Sequence, residues 1–199
     1  MQKDFSALES LKTANGLYIA GGADYNKVWI RDNVYVALTF IEVGQWEEAA
    51  EILTSLIRLI GRYKHKLEAS GYPKTNAEML HPRYMPDGRE LHKEHGNRQH
   101  DALGALLFAI ARVIKQKPDF LDDNKRNILQ KLIEYLERCR YWNDADNGMW
   151  EEDIALHASS LAACIRGMEA LGGLFNINSQ GLAQARQNLD QLLPKESVL

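Results

Sequence analysis

The stretch at residues 99–118 reads QHDALGALLFAIARVIKQKP. Its apolar side chains recur every three or four residues, which is the period of one face of an α-helix. They are Leu103, Leu106, Leu107, Ile110, Val113 and Ile114. Proline disfavours helical backbone in the residue before it, and Pro118 stands where the pattern stops. This stretch therefore predicts a buried helix that ends before Pro118.

The same period returns along most of the chain, and alternation with period two is nearly absent. Further helices are predicted at residues 5–14, 31–43, 45–67, 123–139, 154–171 and 180–193. Several are long enough to pair as antiparallel hairpins. The sequence thus predicts an all-α fold of about seven helices, and its length favours one domain over residues 1–199.

Composition excludes several classes of protein. The chain is 45% hydrophobic and 26% charged, with a net charge of −3, which does not fit a disordered chain or a strongly cationic nucleic-acid binder. No segment has the roughly 20 apolar residues of a membrane helix, and the polar stretch Met1–Leu11 lacks the apolar centre of a secretory signal. Cys139 and Cys164 fall on apolar helical stripes. We expect buried free thiols and a cytoplasmic location.

Two polar segments interrupt the helical pattern. Residues 69–97 contain three prolines and form an unusually long connection, of the kind that is often functional. Residues 142–153 read WNDADNGMWEED and precede the helix predicted from Ile154. Acidic side chains there are favoured by the helix dipole. Tryptophan beside two acids also suits a sugar, since the ring stacks on the pyranose and carboxylates bond its hydroxyls. Simple capping of the helix is the alternative.

Metal and nucleotide sites are not supported by the motifs. Four of the six histidines lie within twenty residues, but no cysteine pair or His-Glu-x-x-His helix accompanies them. They are His81, His92, His95 and His100. A calcium loop with Gly148 at its sixth position places Ala145 and Ile154 where oxygen ligands belong. We therefore predict no metal ligands, and no Gly-rich phosphate or dinucleotide motif is present.

Four short motifs occur in order along the chain: VWIRDN at residues 28–33, HPRY at 81–84, QHDALG at 99–104 and GMWE at 148–151. Three of them contain polar residues at predicted helix starts, so their side chains are expected to converge on one face of a helical barrel. Together they resemble glycoside hydrolase family 15, the glucoamylases, and the related N-terminal domains of phosphorylase kinase α and β subunits. The resemblance spans about residues 18–195.

That resemblance implies an (α/α) barrel of six helical hairpins, of which this chain supplies about half, and inverting hydrolysis of α-glucosidic bonds. Glu151 matches the general acid, and the family's general base lies in the second half of the barrel. The implied substrate-binding residues are Trp29, Arg31, Asp32, Gln99, Asp101, Trp150 and Glu152. No cofactor is implied. The expected ligand is an α-glucoside or α-glucan.

Some alternatives remain open at this point. His95 stands where glucoamylases usually carry a tryptophan before the glycine of the glutamine-containing motif, which implies an altered second sugar subsite. A non-catalytic domain like that of phosphorylase kinase would bind a glucan or regulate a partner. A helical scaffold with accidental motif matches would bind no sugar. An open half-barrel exposes apolar helix faces, which predicts a second half-barrel or self-association.

Overall fold

The computed structural model describes residues 5–22, 25–91, 96–150 and 153–193. Its α-helices are α1 (Ser6–Glu9), α2 (Ile30–Glu42), α3 (Trp46–Gly61), α4 (Lys64–Glu68), α5 (His100–Gln116), α6 (Asp123–Arg138), α7 (Ala158–Leu171) and α8 (Ser179–Leu192). A short 3-10 helix at Pro118–Phe120 joins α5 to α6, and two short strands, β1 (Val28–Trp29) and β2 (Arg83–Tyr84), form the only sheet within those ranges. The all-α prediction is confirmed.

Three predicted helix boundaries differ from the structure. The predicted first helix is only the single turn α1, and the predicted helix 45–67 is broken at Arg62–Tyr63 into α3 and α4. The helix predicted from Ile154 begins at Ala158 instead. Ala155 is held extended, because its backbone exchanges two hydrogen bonds with Asp146, of 2.8 and 3.0 Å. The acidic segment therefore does not directly precede a helix.

The helices pack in two layers around one apolar core. In the first layer α2 lies against α5, and α5 lies against α7. In the second layer α3 covers α2, α6 lies against α3 and α4, and α8 covers α7. The predicted stripe of α5 is buried as expected, from Leu103 to Ile114. None of the helices in the described ranges is long and apolar enough to cross a membrane.

Glycine determines how closely α5 and α7 approach. A Cβ atom on Gly104 would lie 2.4 Å from the backbone nitrogen of Cys164, and one on Gly167 would lie 2.5 Å from the carbonyl oxygen of Gly104. Real Cβ atoms do not come that close to backbone, so only glycine allows this contact. The Cys164 thiol donates to the carbonyl of His100 at 3.4 Å. Both cysteines are free and buried, as predicted.

The long segment that follows α4 contains no helix in its described part, residues 69–91. It is attached to the core through β2, which pairs antiparallel with β1 so that Tyr84 faces Val28 and Arg83 faces Trp29. Tyr84 is fully buried. The backbone N–H of Ile30 donates to the carbonyl of Pro82 at 2.9 Å. This segment therefore fixes the backbone from which α2 begins.

Candidate active site

Arg31, in the first turn of α2, joins three parts of the chain. Its Nε donates to Asp101 Oδ2 at 2.7 Å, and its Nη2 donates to Asp101 Oδ1 at 3.2 Å and to Gln99 Oε1 at 2.6 Å. Its Nη1 donates to the carbonyl of Met149 at 2.8 Å. All three side chains are buried. The structure thus brings together three of the predicted site residues at the starts of α2 and α5.

Asn33 fixes the start of α2, where Arg31 and Asp32 lie. Its Nδ2 donates to the carbonyls of Tyr18 and Trp29, at 2.9 and 2.8 Å, and its Oδ1 accepts from the N–H of Tyr18 at 2.7 Å. Both ends of the buried amide are therefore satisfied by backbone groups. The last residue of the VWIRDN motif is consequently a structural residue that ties α2 to the segment before β1.

The start of α5 is capped from a distant loop. Gln99 occupies the N-cap position without a side-chain capping bond. Instead Asp146 Oδ2 accepts from the backbone N–H of His100 at 2.9 Å, and Asp146 Oδ1 accepts from the N–H of Gly148 at 3.2 Å. Asp146 is completely buried, and this burial raises the pKa of its carboxyl above the ordinary value. Sequence reasoning missed this residue, because nothing in the acidic segment marks which carboxylate turns inward.

A second carboxylate, Asp144, whose side chain is 8% exposed, connects the same loop to the first residue of α5. Its Oδ2 lies 2.7 Å from His100 Nε2, while its Oδ1 accepts from the hydroxyl of Tyr72 at 2.7 Å and from Arg98 Nη1 at 3.3 Å. Burial and, secondly, the hydrogen bond to Asp144 raise the pKa of Tyr72 to about 12. The loop is therefore held to α5 by two carboxylates that contact the same residue, His100, one at its backbone N–H and the other at its ring.

These contacts set the position of the segment that leads to the predicted acid. Gly148 has a φ of +62°, which favours glycine, and a Cβ there would lie 2.8 Å from the His157 ring. Arg31 holds the carbonyl of Met149, and the next residue, Trp150, is 79% exposed. Glu151 and Glu152, the predicted acid and its neighbour, lie outside the described residues.

Two further predicted residues lie beside Arg31 in the chain. Trp29 is half-buried at the end of β1, with the Arg83 guanidinium 5.3 Å from its ring centroid. Arg83 belongs to the HPRY motif, so two of the motifs meet across the β1–β2 pair. Asp32 is half-buried in the first turn of α2. The binding roles of Trp29 and Asp32 remain predictions.

The part of the chain that the structure describes contains no set of side chains that could hold a metal ion. Within those ranges no three His, Cys, Asp or Glu side chains are grouped to hold an ion. His92 and His95 lie outside them. His81 is buried near Glu90, at 3.9 Å from Nε2 to Oε1, and burial lowers the pKa of this histidine. The absence of a metal therefore remains a prediction.

The two layers of helices form part of an (α/α) barrel. A glycosidase variant in complex with glucose matches with a TM-score of 0.72 at 20% identity, over 94% of this chain and 52% of that chain. The glucoamylase from Saccharomycopsis fibuligera matches with a TM-score of 0.63 at 17% identity, over 90% and 41%. The glucoamylase of Hormoconis resinae matches with a TM-score of 0.61 at 18% identity, over 90% and 33%. These likenesses establish the fold, and the predicted partial barrel is confirmed.

The model of the glycosyl hydrolases family 15 matches residues 7–193. The chain belongs to this family, as the four motifs indicated. It spans about half the length of the glycosidase structures that it matches. A comparison with curated proteins gave no match.

Proposed function

We propose that this chain supplies the acid-bearing half of the active site of an inverting α-glucoside hydrolase, which releases glucose from an α-glucan or a small α-glucoside. The observation that supports this most is the set of hydrogen bonds from Arg31. They join the starts of α2 and α5 to the carbonyl of Met149, two residues before Glu151. Family membership supports the same reaction class.

The proposed chemistry needs two carboxyl groups on opposite sides of the glycosidic bond. In inverting enzymes they stand about 6.5–9.5 Å apart, which leaves room for the attacking water. We assign Glu151 as the acid that protonates the leaving oxygen. Adjacent residues cannot flank one sugar from opposite faces, so Glu152 is assigned to sugar binding. The general base is expected in the second half of the barrel, beyond the part that residues 1–199 cover.

The other predicted residues divide into two groups in this proposal. Trp29 and Trp150 provide apolar faces on which a pyranose ring can stack. The carboxylate of Asp32 accepts hydrogen bonds from sugar hydroxyls. Arg31, Gln99 and Asp101 are mutually bonded and buried. Because most N–H groups of Arg31 already bond protein oxygens, its main task in this proposal is to hold the loop that carries the acid.

The test is glucose release by the protein with its partner half present, from maltose, isomaltose, trehalose and longer maltooligosaccharides. Glu151→Gln is expected to lower glucose release by about 10²–10⁴-fold while saccharide binding persists. Glu48→Gln is the matched control, since Glu48 is an exposed glutamate on α3. Unchanged release by Glu151→Gln would overturn the acid assignment.

The same assays separate the regulatory alternative. Saccharide binding by the complete unchanged protein, without release of glucose from any of these substrates, would favour a glucan-binding regulatory domain like that of phosphorylase kinase. The absence of both binding and release would favour a helical scaffold. Tryptophan fluorescence titrated with maltooligosaccharides measures the binding, because Trp150 is 79% exposed and lies beside the proposed acid.

A further inference from the structure

A cleft runs between α3 and α6 on the outer layer, and it shares no residue with the candidate active site. Five cationic side chains line it, and we refer to it as the basic groove. They are Arg58, Arg62, Lys64, Lys125 and Lys131, and the carboxylate of Asp122 lines the groove as well. The groove encloses about 480 Å³, which is within the usual size of small-molecule sites.

The floor of the basic groove is apolar because the two helices approach closely. Ile57 and Ile128 are buried there. A Cβ atom on Gly61 would lie 2.8 Å from Ile128 Cδ1, so the last residue of α3 is a glycine where α6 packs against it. The result is an apolar strip between two cationic walls, one from α3 and α4 and one from α6.

The positive charge of the groove is only partly neutralised. Lys125 pairs with Asp122 at 2.6 Å, and Lys131 pairs with Glu68 at 2.8 Å. Arg62 donates to the carbonyl of Asp87 at 2.7 Å, and the charge of Glu68 also acts on Lys64. Among the residues that the structure describes, neither Arg58 nor Lys64 forms a direct ion pair with a carboxylate, and both are exposed. This excess lies on a protein whose net charge is −3. A local field of opposite sign to the whole protein attracts an anion to one place.

The lining also contains neutral groups that donate and accept hydrogen bonds: Thr54, Asn124 and Asn127. The groove thus combines cationic walls, neutral hydrogen-bonding groups and an apolar floor. A ligand that matches all three carries several negative charges, polar groups and an apolar ring or chain. Arginine binds phosphate through two parallel hydrogen bonds, and lysine binds it as a point charge. We propose that the basic groove binds an organic phosphate, whose phosphate groups lie between the two cationic walls and whose organic part covers Ile57 and Ile128.

The experiment is calorimetric titration of the protein with ATP, glucose 6-phosphate and inorganic pyrophosphate, at low and at physiological salt. Saturable binding of ATP or glucose 6-phosphate, tighter than that of pyrophosphate, is the expected result. The two organic ligands distinguish a nucleotide from a sugar phosphate. Pyrophosphate binding as tight as either would refute a role for the apolar floor, and no saturable binding of any would refute the site.

Charge reversal locates the binding. Lys64→Glu is expected to weaken the tighter organic phosphate at least tenfold, and Arg58→Gln provides a second variant should Lys64→Glu fail to fold. Lys115→Glu is the matched control, because Lys115 is an exposed lysine on α5 outside the groove. Equal weakening by Lys115→Glu would show that only the net charge matters and would overturn the proposal.

Discussion

Removing the guanidinium of Arg31 is expected to destabilise the whole fold strongly. The side chains of Arg31 and Asp101 are 11% and 6% exposed, and they meet through two hydrogen bonds. Truncating one partner of a buried ion pair costs about 3–5 kcal/mol, because the other charge stays buried without compensation. Domain stabilities are only about 5–15 kcal/mol. Arg31→Ala therefore removes a large share of the free energy of unfolding.

Arg31→Lys separates charge from geometry at the same position. An ammonium group keeps the positive charge but has no planar fork, so it cannot bond Asp101, Gln99 and Met149 together. The lost hydrogen bonds include charged ones, which contribute about 1.5–3 kcal/mol each. We expect Arg31→Lys to cost less than Arg31→Ala but still at least about 1.5 kcal/mol.

The measurement is urea unfolding followed by circular dichroism, in which a shifted midpoint with an unchanged slope reports stability alone. Arg89→Ala is the control, because Arg89 pairs with Asp87 on the surface with 71% of its side chain exposed, and such pairs contribute about 0–1 kcal/mol. A double-mutant cycle with Asp101→Ala gives the coupling between the two side chains. If Arg31→Ala costs no more than Arg89→Ala, the assignment of Arg31 as the group that joins α2 and α5 to the carbonyl of Met149 is wrong.

Three further predictions concern other parts of the molecule. Gly104→Ala places a methyl group against backbone of α7 and is expected to cost about 3 kcal/mol or more, whereas thermal unfolding of Gly173→Ala should be nearly unchanged, since a Cβ there meets nothing within 4 Å. The pKa of Tyr72 is raised to about 12, so its contribution to stability is complete below pH 10 and is lost as the pH rises through 12. Ultraviolet titration of Tyr72→Phe should therefore lack one ionisation that the unchanged protein shows near that pH. Burial raises the pKa of the Cys139 thiol to about 12 and that of Cys164 well above its ordinary value. Both cysteines should therefore resist a thiol reagent at neutral pH in the folded protein and react in denaturant, and rapid labelling of the native state would contradict this burial.

The helical layers were predictable from sequence because burial repeats with the helical period. The apolar stripe of α5 is an example, since each of its predicted positions from Leu103 to Ile114 is buried. The period does not show where a helix breaks. Apolar spacing continues to Leu67, yet the backbone turns at Tyr63, and α4 then places Lys66 inside the protein, where its Nζ bonds the carbonyl of Met79 at 2.9 Å.

The candidate site was predictable only in part, for a similar reason. Arg31, Gln99 and Asp101 stand in motifs, and the structure brings them into contact. Asp146 and Asp144 both contact His100 at the start of α5, and each stands more than forty residues from it in the chain. No local pattern distinguishes such carboxylates from exposed ones. The start predicted for α7 at Ile154 was wrong for the same reason, since the backbone of Ala155 pairs with Asp146 of this loop and α7 begins only at Ala158.

The hydrogen bond between Asp146 and the start of α5 makes the backbone amide of His100 a probe of the loop that contains Asp146 and leads to Glu151. The N–H of His100 is bonded by Asp146, 46 residues further along the chain, whereas the N–H groups beyond the first turn of a helix bond carbonyls of the helix itself. During synthesis this first turn stays uncapped until residue 146 has left the ribosome. In the finished protein, each opening of the loop exposes that amide to solvent exchange without unwinding α5. The exchange rate of the His100 amide is thus expected to report how often Asp146 separates from the start of α5.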